Sequence, residues 1–332
     1  MEKKFNGIRQ MISNTPLMEI SFLYKEKPMK VYAKAEYFNL SGSIKDRVAY
    51  YILKKAYETG AIKPGDTIVE ATSGNTGIAF SAMAAYLNHP MVVYMPDWMS
   101  EERIKIMQSY GAKVELVSHE EGGFLGSIAK SEELAKNDNV FLPGQFSNPD
   151  NVAAHIEDTA AETLRQLEVF GTKPDCVVAG VGTGGTIMGL AKAFKAENPD
   201  CIARPLEPKN SPTLSTGYKT GAHKIAGISD EFIPSICKLD ELDAVVSVDD
   251  IDSIIMAQKL SRELGIGVGI SSGANFIGSV MALLESDTDA TCVTVFADDN
   301  KKYLSTDYAK TFEPKDEYIS SHIKLTGVRT VR

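Results

Sequence analysis

The sequence predicts an α/β fold built on parallel sheets, and three observations carry that expectation. Apolar strand-like runs alternate with helix-like segments from about residue 30 to about residue 300, the pattern that packs helices on both faces of a parallel sheet. Two glycine-rich turns, Thr72-Ser73-Gly74-Asn75-Thr76-Gly77 and Gly182-Thr183-Gly184-Gly185-Thr186, each stand where such a strand hands over to a helix. A chain of 332 residues exceeds the usual single-domain size and suggests two domains of roughly 150 residues each.

Val31-Tyr32-Ala33-Lys34-Ala35 reads as a strand. Ile44, Val48, Tyr51, Ile52 and Lys55 then follow helical spacing with one apolar face, which puts Lys45 near a helix start. Ile68-Val69-Glu70-Ala71 is the strand before the first glycine turn, and the helix after it opens with Ile78-Ala79-Phe80. Val92-Val93-Tyr94-Met95 is a short buried strand ending at Pro96, followed by a helix from about Glu101 to Tyr110 that Gly111 stops. Val114-Glu115-Leu116-Val117 starts the next unit.

Pro143-Gly144-Gln145-Phe146-Ser147-Asn148-Pro149 is a dense cluster of turn residues near the midpoint and is the expected domain boundary. Beyond it come a helix near residues 153–166, the strand Cys176-Val177-Val178-Ala179 before the second glycine turn, and a helix after it. A loop from Pro208 to Pro234 follows, then strands at Val245-Val246-Ser247-Val248 and Val293-Thr294-Val295-Phe296. The last stretch is mixed and polar and reads as a peripheral tail.

Composition narrows the function. The formal charge of -9 argues against nucleic acid or an anionic membrane as a partner, because phosphate neutralisation needs clustered Lys and Arg. No apolar run approaches the roughly 20 residues of a membrane span, and Met1-Glu2-Lys3-Lys4-Phe5 lacks a signal-peptide core, so the expected location is the cytoplasm. Cys176, Cys201, Cys237 and Cys292 are widely spaced, which fits buried reduced thiols. The histidines show no metal-ligand spacing, and no metal site is expected. A small-molecule partner remains.

Lys45, in Ser43-Ile44-Lys45-Asp46-Arg47, is the residue on which the chemistry turns. A lysine amine can form a Schiff base with the aldehyde of pyridoxal phosphate, and an incoming amino acid then displaces it. The two glycine turns supply what such a cofactor needs, because unpaired N–H groups and the helix dipole make each strand-to-helix junction an anion site. One cup suits a cofactor phosphate and the other a substrate carboxylate. Taken alone, Lys45 could equally be a surface lysine on an amphipathic helix, and Asn75 a simple turn residue.

SGSIKDR, TSGNTG, MPDWMSEERIKIMQSYGA, GVGTGGTIMG, GISSGAN and KKYLST occur in the order and approximate spacing of the cysteine synthase family. The chain resembles these fold-type II pyridoxal phosphate enzymes from about Asn14 to Thr306. The resemblance implies a tryptophan synthase β-like fold of two α/β domains, each a twisted, mostly parallel sheet flanked by helices. Residues 45–148 would be a smaller mobile domain, residues 1–44 and 149–306 a larger one, and 307–332 a peripheral tail. Lys45 would be the Schiff-base lysine, Asn75 the partner of the cofactor's phenolic oxygen, and Gly182, Thr183, Gly184, Gly185 and Thr186 the phosphate cup. Thr72, Ser73, Asn75 and Thr76, with Gln145, would hold the substrate carboxylate. Family members are commonly homodimers.

Three departures from the family pattern bear on the reaction. Leu40 stands where a proline is usual, which affects only loop stiffness. Aligning back from Tyr303 puts Asp299 where a serine usually faces the pyridine nitrogen, and a carboxylate there would favour a pyridinium. A one-residue shift would instead turn Asp298 or Asp299 to solvent and leave Asn300 or a backbone group in its place. Finally, Asp230 and Glu231 replace small neutral residues in a loop that faces the active site. A carboxylate near the substrate's Cβ would repel sulfide but can deprotonate water or protonate a departing thiolate, with Asp230 the first choice and Glu231 the second. A solvated acidic pair is the competing reading.

The expected function is β-replacement on a serine- or cysteine-type amino acid through an aminoacrylate, as in O-acetylserine plus sulfide giving cysteine and acetate. The alternative runs on L-cysteine, releasing hydrogen sulfide and adding water to give L-serine or a second cysteine to give lanthionine. A cystathionine synthase reaction, a serine or threonine dehydratase and a non-catalytic amino-acid-binding relative are weaker rivals.

Overall fold

The computed structural model describes residues 1–332. A short helix α1 (Glu2–Ile8) leads into the antiparallel pair β1 (Leu17–Tyr24) and β2 (Lys27–Ala35). Helix α2 (Lys45–Thr59) follows, closed by Gly60 in the left-handed conformation that a helix end favours. Then come β3 (Thr67–Ala71), α3 (Asn75–Leu87), β4 (Met91–Pro96), α4 (Glu101–Ser109), β5 (Lys113–Val117), α5 (Gly123–Leu134) and the two-residue β6 (Val140–Phe141). These four strands form one sheet in the order β5-β4-β3-β6, and every pairing in it is parallel.

The chain leaves that sheet through the turn at Gly144, whose φ is +67°, and enters α6 (Asp150–Ala154), a π-helical segment His155–Ala160 and α7 (Ala161–Phe170). The remaining elements are β7 (Cys176–Gly180), α8 (Gly185–Glu197), β8 (Ile202–Pro208), α9 (Thr213–Thr216), β9 (Val246–Val248), α10 (Asp250–Leu264), α11 (Ile270–Glu285), β10 (Cys292–Phe296) and β11 (Ile323–Val331). Seven strands form the second sheet, ordered β11-β1-β2-β10-β7-β8-β9. It is parallel from β2 to β9 and antiparallel at its β11-β1-β2 edge.

The seven-stranded sheet has a core on each face. Along β7, Cys176 and Val178 join one core with Leu206 and Phe276, while Val177 and Ala179 join the other with Leu190 and Phe194. That is the period-two alternation of a strand covered on both sides. The four-stranded sheet shares a third core with α2 and α3, built on Val48, Ile52, Phe80 and Met83. Residues 307–332, expected to be a peripheral tail, end at the outer edge of the seven-stranded sheet. Their last stretch is β11, which pairs with β1 along its whole length and buries Ile323 and Leu325. No helix is long and apolar enough to cross a membrane.

Candidate active site

A cavity of ≈ 450 Å³ opens between the two sheets. It lies beyond the carboxyl ends of β3 and β7, where parallel sheets present their loops to ligands. Lys45, the first residue of α2, projects into it, and its Nζ donates to Thr183 Oγ1 at 3.3 Å. Thr72, Ser73, Gly74, Asn75 and Thr76 form one wall, ending in the N-terminus of α3. Gly182, Thr183, Gly184 and Thr186 form the opposite wall at the start of α8. Two turns far apart in the chain therefore face one volume with Lys45 between them.

Side chains would obstruct the second turn. A Cβ on Gly182 would meet the Gly227 carbonyl oxygen at 2.4 Å, and one on Gly184, whose φ is +87°, would meet Cys237 Cβ at 2.6 Å. Helix α8 also begins at a glycine N-cap without a side-chain cap; its Gly185 N–H makes a long bond to Thr183 Oγ1 at 3.4 Å, and the N–H groups that follow in the first turn are available to an anion. Gly185 stands behind the wall, against Asn151. Gln145 is buried in the turn between β6 and α6, accepting from Thr76 Oγ1 at 2.6 Å and donating through Nε2 to the Ala71 carbonyl at 2.8 Å.

Asp230 lines the same cavity, as does Glu231. The acidic loop is pinned to the cup: the Ser229 N–H donates to the Val181 carbonyl at 2.8 Å, one residue before Gly182. Ser229 itself holds a left-handed φ of 56°, unusual outside glycine, and its hydroxyl donates to the Ser211 carbonyl at 2.9 Å. That constraint presents Asp230 to the interior. Three aromatic rings bridge the cavity's rim, with Phe124 of α5 edge-on to Phe146 at 5.6 Å and Phe146 to Phe232 at 5.3 Å.

Enclosure shifts the ionisable groups here toward neutrality. It lowers Lys45 to about 8, partly offset by the charges of Asp230 and Glu70. It raises Asp230 to about 6, against the opposing pull of Lys45 and Lys219. Burial also lifts Glu70 to about 7, although backbone N–H groups of Gln145, Ala71 and Gly144 hold its charged form.

Asp299 is a correction to the expectation from sequence. Its carboxylate turns away from the cavity, accepts from the Lys301 N–H at 3.1 Å and pairs with the Lys301 ammonium at 3.4 Å. Asp298 is the buried member of the pair, with 0% exposure. It accepts from Asn75 Nδ2 at 2.8 Å and Tyr303 OH at 2.6 Å, while Lys302 Nζ donates to Asn75 Oδ1 at 2.9 Å. Consecutive residues in extended chain point to opposite sides, so a shift of one exchanges the two carboxylates. Asp298 thus anchors Asn75.

Sequence reasoning also passed over Glu70, Asn151 and His155. His155 comes from the π-helical segment and meets Thr186 Oγ1 at 3.3 Å beneath the second turn. Burial and the nearby Lys45 and Arg47 charges lower its pKa to about 3, so it is neutral. No sequence motif marked these residues. A π-helical turn leaves no periodic signature in a single sequence, though such turns often sit at functional sites.

Comparison with known proteins bears on this geometry. Residues 8–298 match the family model described as pyridoxal-phosphate dependent enzyme. A probable cysteine synthase from Bacillus subtilis is 42% identical over 298 residues, 90% of this chain and 95% of that protein. The crystal structure of a hydrogen sulfide-producing enzyme from Fusobacterium nucleatum is 54% identical, covers 100% of both chains and superposes with a TM-score of 0.97. An aspartate-to-asparagine variant of that enzyme, in complex with an alpha-aminoacrylate intermediate, is 54% identical with a TM-score of 0.96, over 99% of this chain and 100% of that one. By these matches the chain belongs to the pyridoxal-phosphate dependent enzyme family, among the relatives of the cysteine synthases.

Proposed function

We propose that this enzyme performs cysteine synthase-like β-replacement on a serine- or cysteine-type amino acid, with L-cysteine as its preferred donor and water as the entering group. The residues present fit pyridoxal phosphate: a primary amine held at about 8 by enclosure faces the uncapped N-terminus of α8 across one cavity. When bound, the cofactor supplies an aldehyde for Lys45 and a conjugated ring that withdraws electrons from the substrate's Cα. The protein's own groups bind the substrate and move its protons.

Thr72, Ser73, Asn75 and Thr76 at the start of α3 would hold the substrate carboxylate, braced from behind by Gln145. Lys45 Nζ takes the Cα proton, which lets the Cβ substituent leave. Asp230 then protonates the departing thiolate and afterwards accepts a proton from the water that attacks Cβ. L-Cysteine and water become L-serine and hydrogen sulfide, and each group returns to its starting protonation state.

The observation that carries the choice of donor is Asp230. A carboxylate whose pKa is raised to about 6 is suited to exchanging a proton near neutral pH, and it opposes the entry of anionic sulfide. Acetate departs as a stable anion and needs no such proton. The 54% identity to a hydrogen sulfide-producing enzyme supports the same reading. The Bacillus subtilis relative's name favours the second reading, O-acetylserine with sulfide, through the same Lys45 chemistry.

Supplying cysteine alone and measuring hydrogen sulfide, serine and lanthionine, then supplying O-acetylserine with sulfide, gives kcat/KM for each reaction. The cysteine value is expected to be larger and to fall in Asp230→Asn. A larger O-acetylserine value, unaffected by that substitution, would return the assignment to cysteine synthase proper. The reading includes closure of residues 45–148 over the cavity, which the bridging contacts of Phe146 support, and a cytoplasmic homodimer, which sedimentation and cell fractionation test.

A further inference from the structure

Asn151, in the first turn of α6, is used by none of the steps above, yet it is fully buried between the Gln145 turn and the second glycine turn. Its Nδ2 donates to the Gln145 carbonyl at 2.9 Å and to Thr183 Oγ1 at 3.0 Å. Its Oδ1 has no hydrogen-bond partner and packs on the first residue of α8, where a Cβ on Gly185 would meet it at 2.1 Å. The reverse amide orientation would set oxygen against the Gln145 carbonyl, so the network fixes which end donates.

Thr183 inherits a direction from this arrangement. Its Oγ1 accepts from Asn151, from the Gly185 N–H at 3.4 Å and, at 3.3 Å, from Lys45 Nζ; once Lys45 is joined to the cofactor, the amide and the Gly185 N–H occupy the two acceptor positions of the hydroxyl. The hydroxyl proton must then point elsewhere, and Thr183 lies in the cavity wall beside the uncapped start of α8. The same amide ties this wall to the opposite one. The Gln145 N–H donates to Glu70 Oε2 at 3.2 Å, and its side chain bonds Thr76 and Ala71.

We propose that Asn151 is a positioning residue: it keeps the Thr183 hydroxyl turned as a donor to the anion held in the second glycine turn, and so sets the affinity for the cofactor's phosphate. The inference rests on the pyridoxal phosphate reading of the site. It assigns to a single amide a task that neither glycine turn can perform alone.

Two substitutions separate this role from simple packing. Asn151→Ala frees one acceptor position on Thr183, and loss of cofactor from the holoenzyme should become about tenfold more favourable. Asn151→Asp has the shape of the native side chain but offers Thr183 an acceptor. The hydroxyl turns toward it, and cofactor affinity should fall further, by roughly a hundredfold. A packing role predicts the opposite order, with the isosteric aspartate nearer the parent than alanine.

Pyridoxal, which has no phosphate, is the control and should bind the parent and both variants alike. Asn151→Ser, small and uncharged, repeats the comparison if either variant fails to fold, and should lie between the parent and Asn151→Ala. Unchanged preference for pyridoxal phosphate over pyridoxal across the folded variants, or aspartate ranking above alanine, overturns the inference. A parent that binds the two forms equally would instead overturn the reading of the turn as a phosphate site.

Discussion

Lys45 and Arg47 stand in the first turn of one helix, and the protein treats their charges in opposite ways. Arg47 is 1% exposed and fully paired: its Nε donates to Glu36 Oε2 at 2.7 Å, and its Nη2 donates to Glu36 Oε1 at 2.7 Å and Glu162 Oε1 at 3.0 Å. Lys34, Arg9 and Asp158 complete a cluster in which cations and anions balance. Arg47 is held well above its usual pKa by these carboxylates. Lys45 has one hydroxyl partner and is lowered to about 8. A charge that holds structure together is satisfied on every side, whereas one that must react is left short of partners.

The largest expected effects come from exchanging those roles. Lys45→Ala should reduce turnover by at least roughly a thousandfold and abolish the cofactor's imine absorption, with thermal stability of the cofactor-free protein unchanged or raised. Arg47→Met should do the reverse damage. It strands Glu36 as a buried charge without a direct ion-pair partner and leaves Glu162 to Lys34 alone, at a cost of about 3–5 kcal/mol in unfolding free energy. Chemical denaturation of the two variants beside their absorption spectra makes the test. A stable Arg47→Met variant would sink the contrast.

Asp230 sharpens the comparison, because it is the carboxylate counterpart of Lys45. In the proposed mechanism its pKa, raised from 3.8 to about 6 by enclosure, places the basic limb of kcat/KM for cysteine near pH 6 instead of near 4, since the form that protonates the departing thiolate is the protonated one. Asp230→Asn should lower sulfide release by about a hundredfold or more and flatten that limb. Exchange of the Cα proton with solvent should persist, because the proposed mechanism assigns that proton to Lys45. A pH profile that keeps its limb in the variant assigns the titration to another group.

The acidic pair before Tyr303 gives a smaller contrast. Asp298→Asn removes the charge that Asn75 and Tyr303 bond and should cost about 2 kcal/mol while shifting the cofactor's absorption. Asp299→Ser should change stability by less than about 0.5 kcal/mol and leave the spectrum alone. Serine can cap the Lys301 N–H as aspartate does. Difference spectra of the two holoenzymes rank the pair.

Lys45 and the two glycine turns were legible in the sequence because each is local: the backbone itself needs small residues where a strand becomes a helix and an anion must approach. Asp298 was not. Neighbours in an extended segment face opposite ways, and the bridges Ser43 to Asp298 and Val268 to Asp299 that fix the register are long-range. The Lys34–Glu36–Arg47–Glu162 cluster was hidden for the same reason, since Glu162 lies more than a hundred positions from its partners. Strand β11 read as polar tail because an edge strand buries only alternate side chains, here Ile323 and Leu325.

The last contrast is between activity and stability at Asp230. Its folded-state pKa lies above its unfolded one, so between pH 3.8 and about 6 the folded chain binds more protons than the unfolded chain, and stability falls as pH rises through that window. Below pH 3.8 the group is protonated in both states and exacts nothing. Above about 6 the full cost of a confined charge is present and no longer grows. The cofactor-free Asp230→Asn variant should therefore melt at the parent's temperature near pH 4 and roughly 2–5 °C above it near pH 8. Calorimetry at the two pH values measures this, and a gain that is equal at both would mean that the asparagine acts through packing and that the carboxylate is solvated in the folded protein. A variant that is stabilised only above pH 6, and inactive there toward cysteine, would show that the cavity holds this charge against its own stability for the sake of the proton it moves.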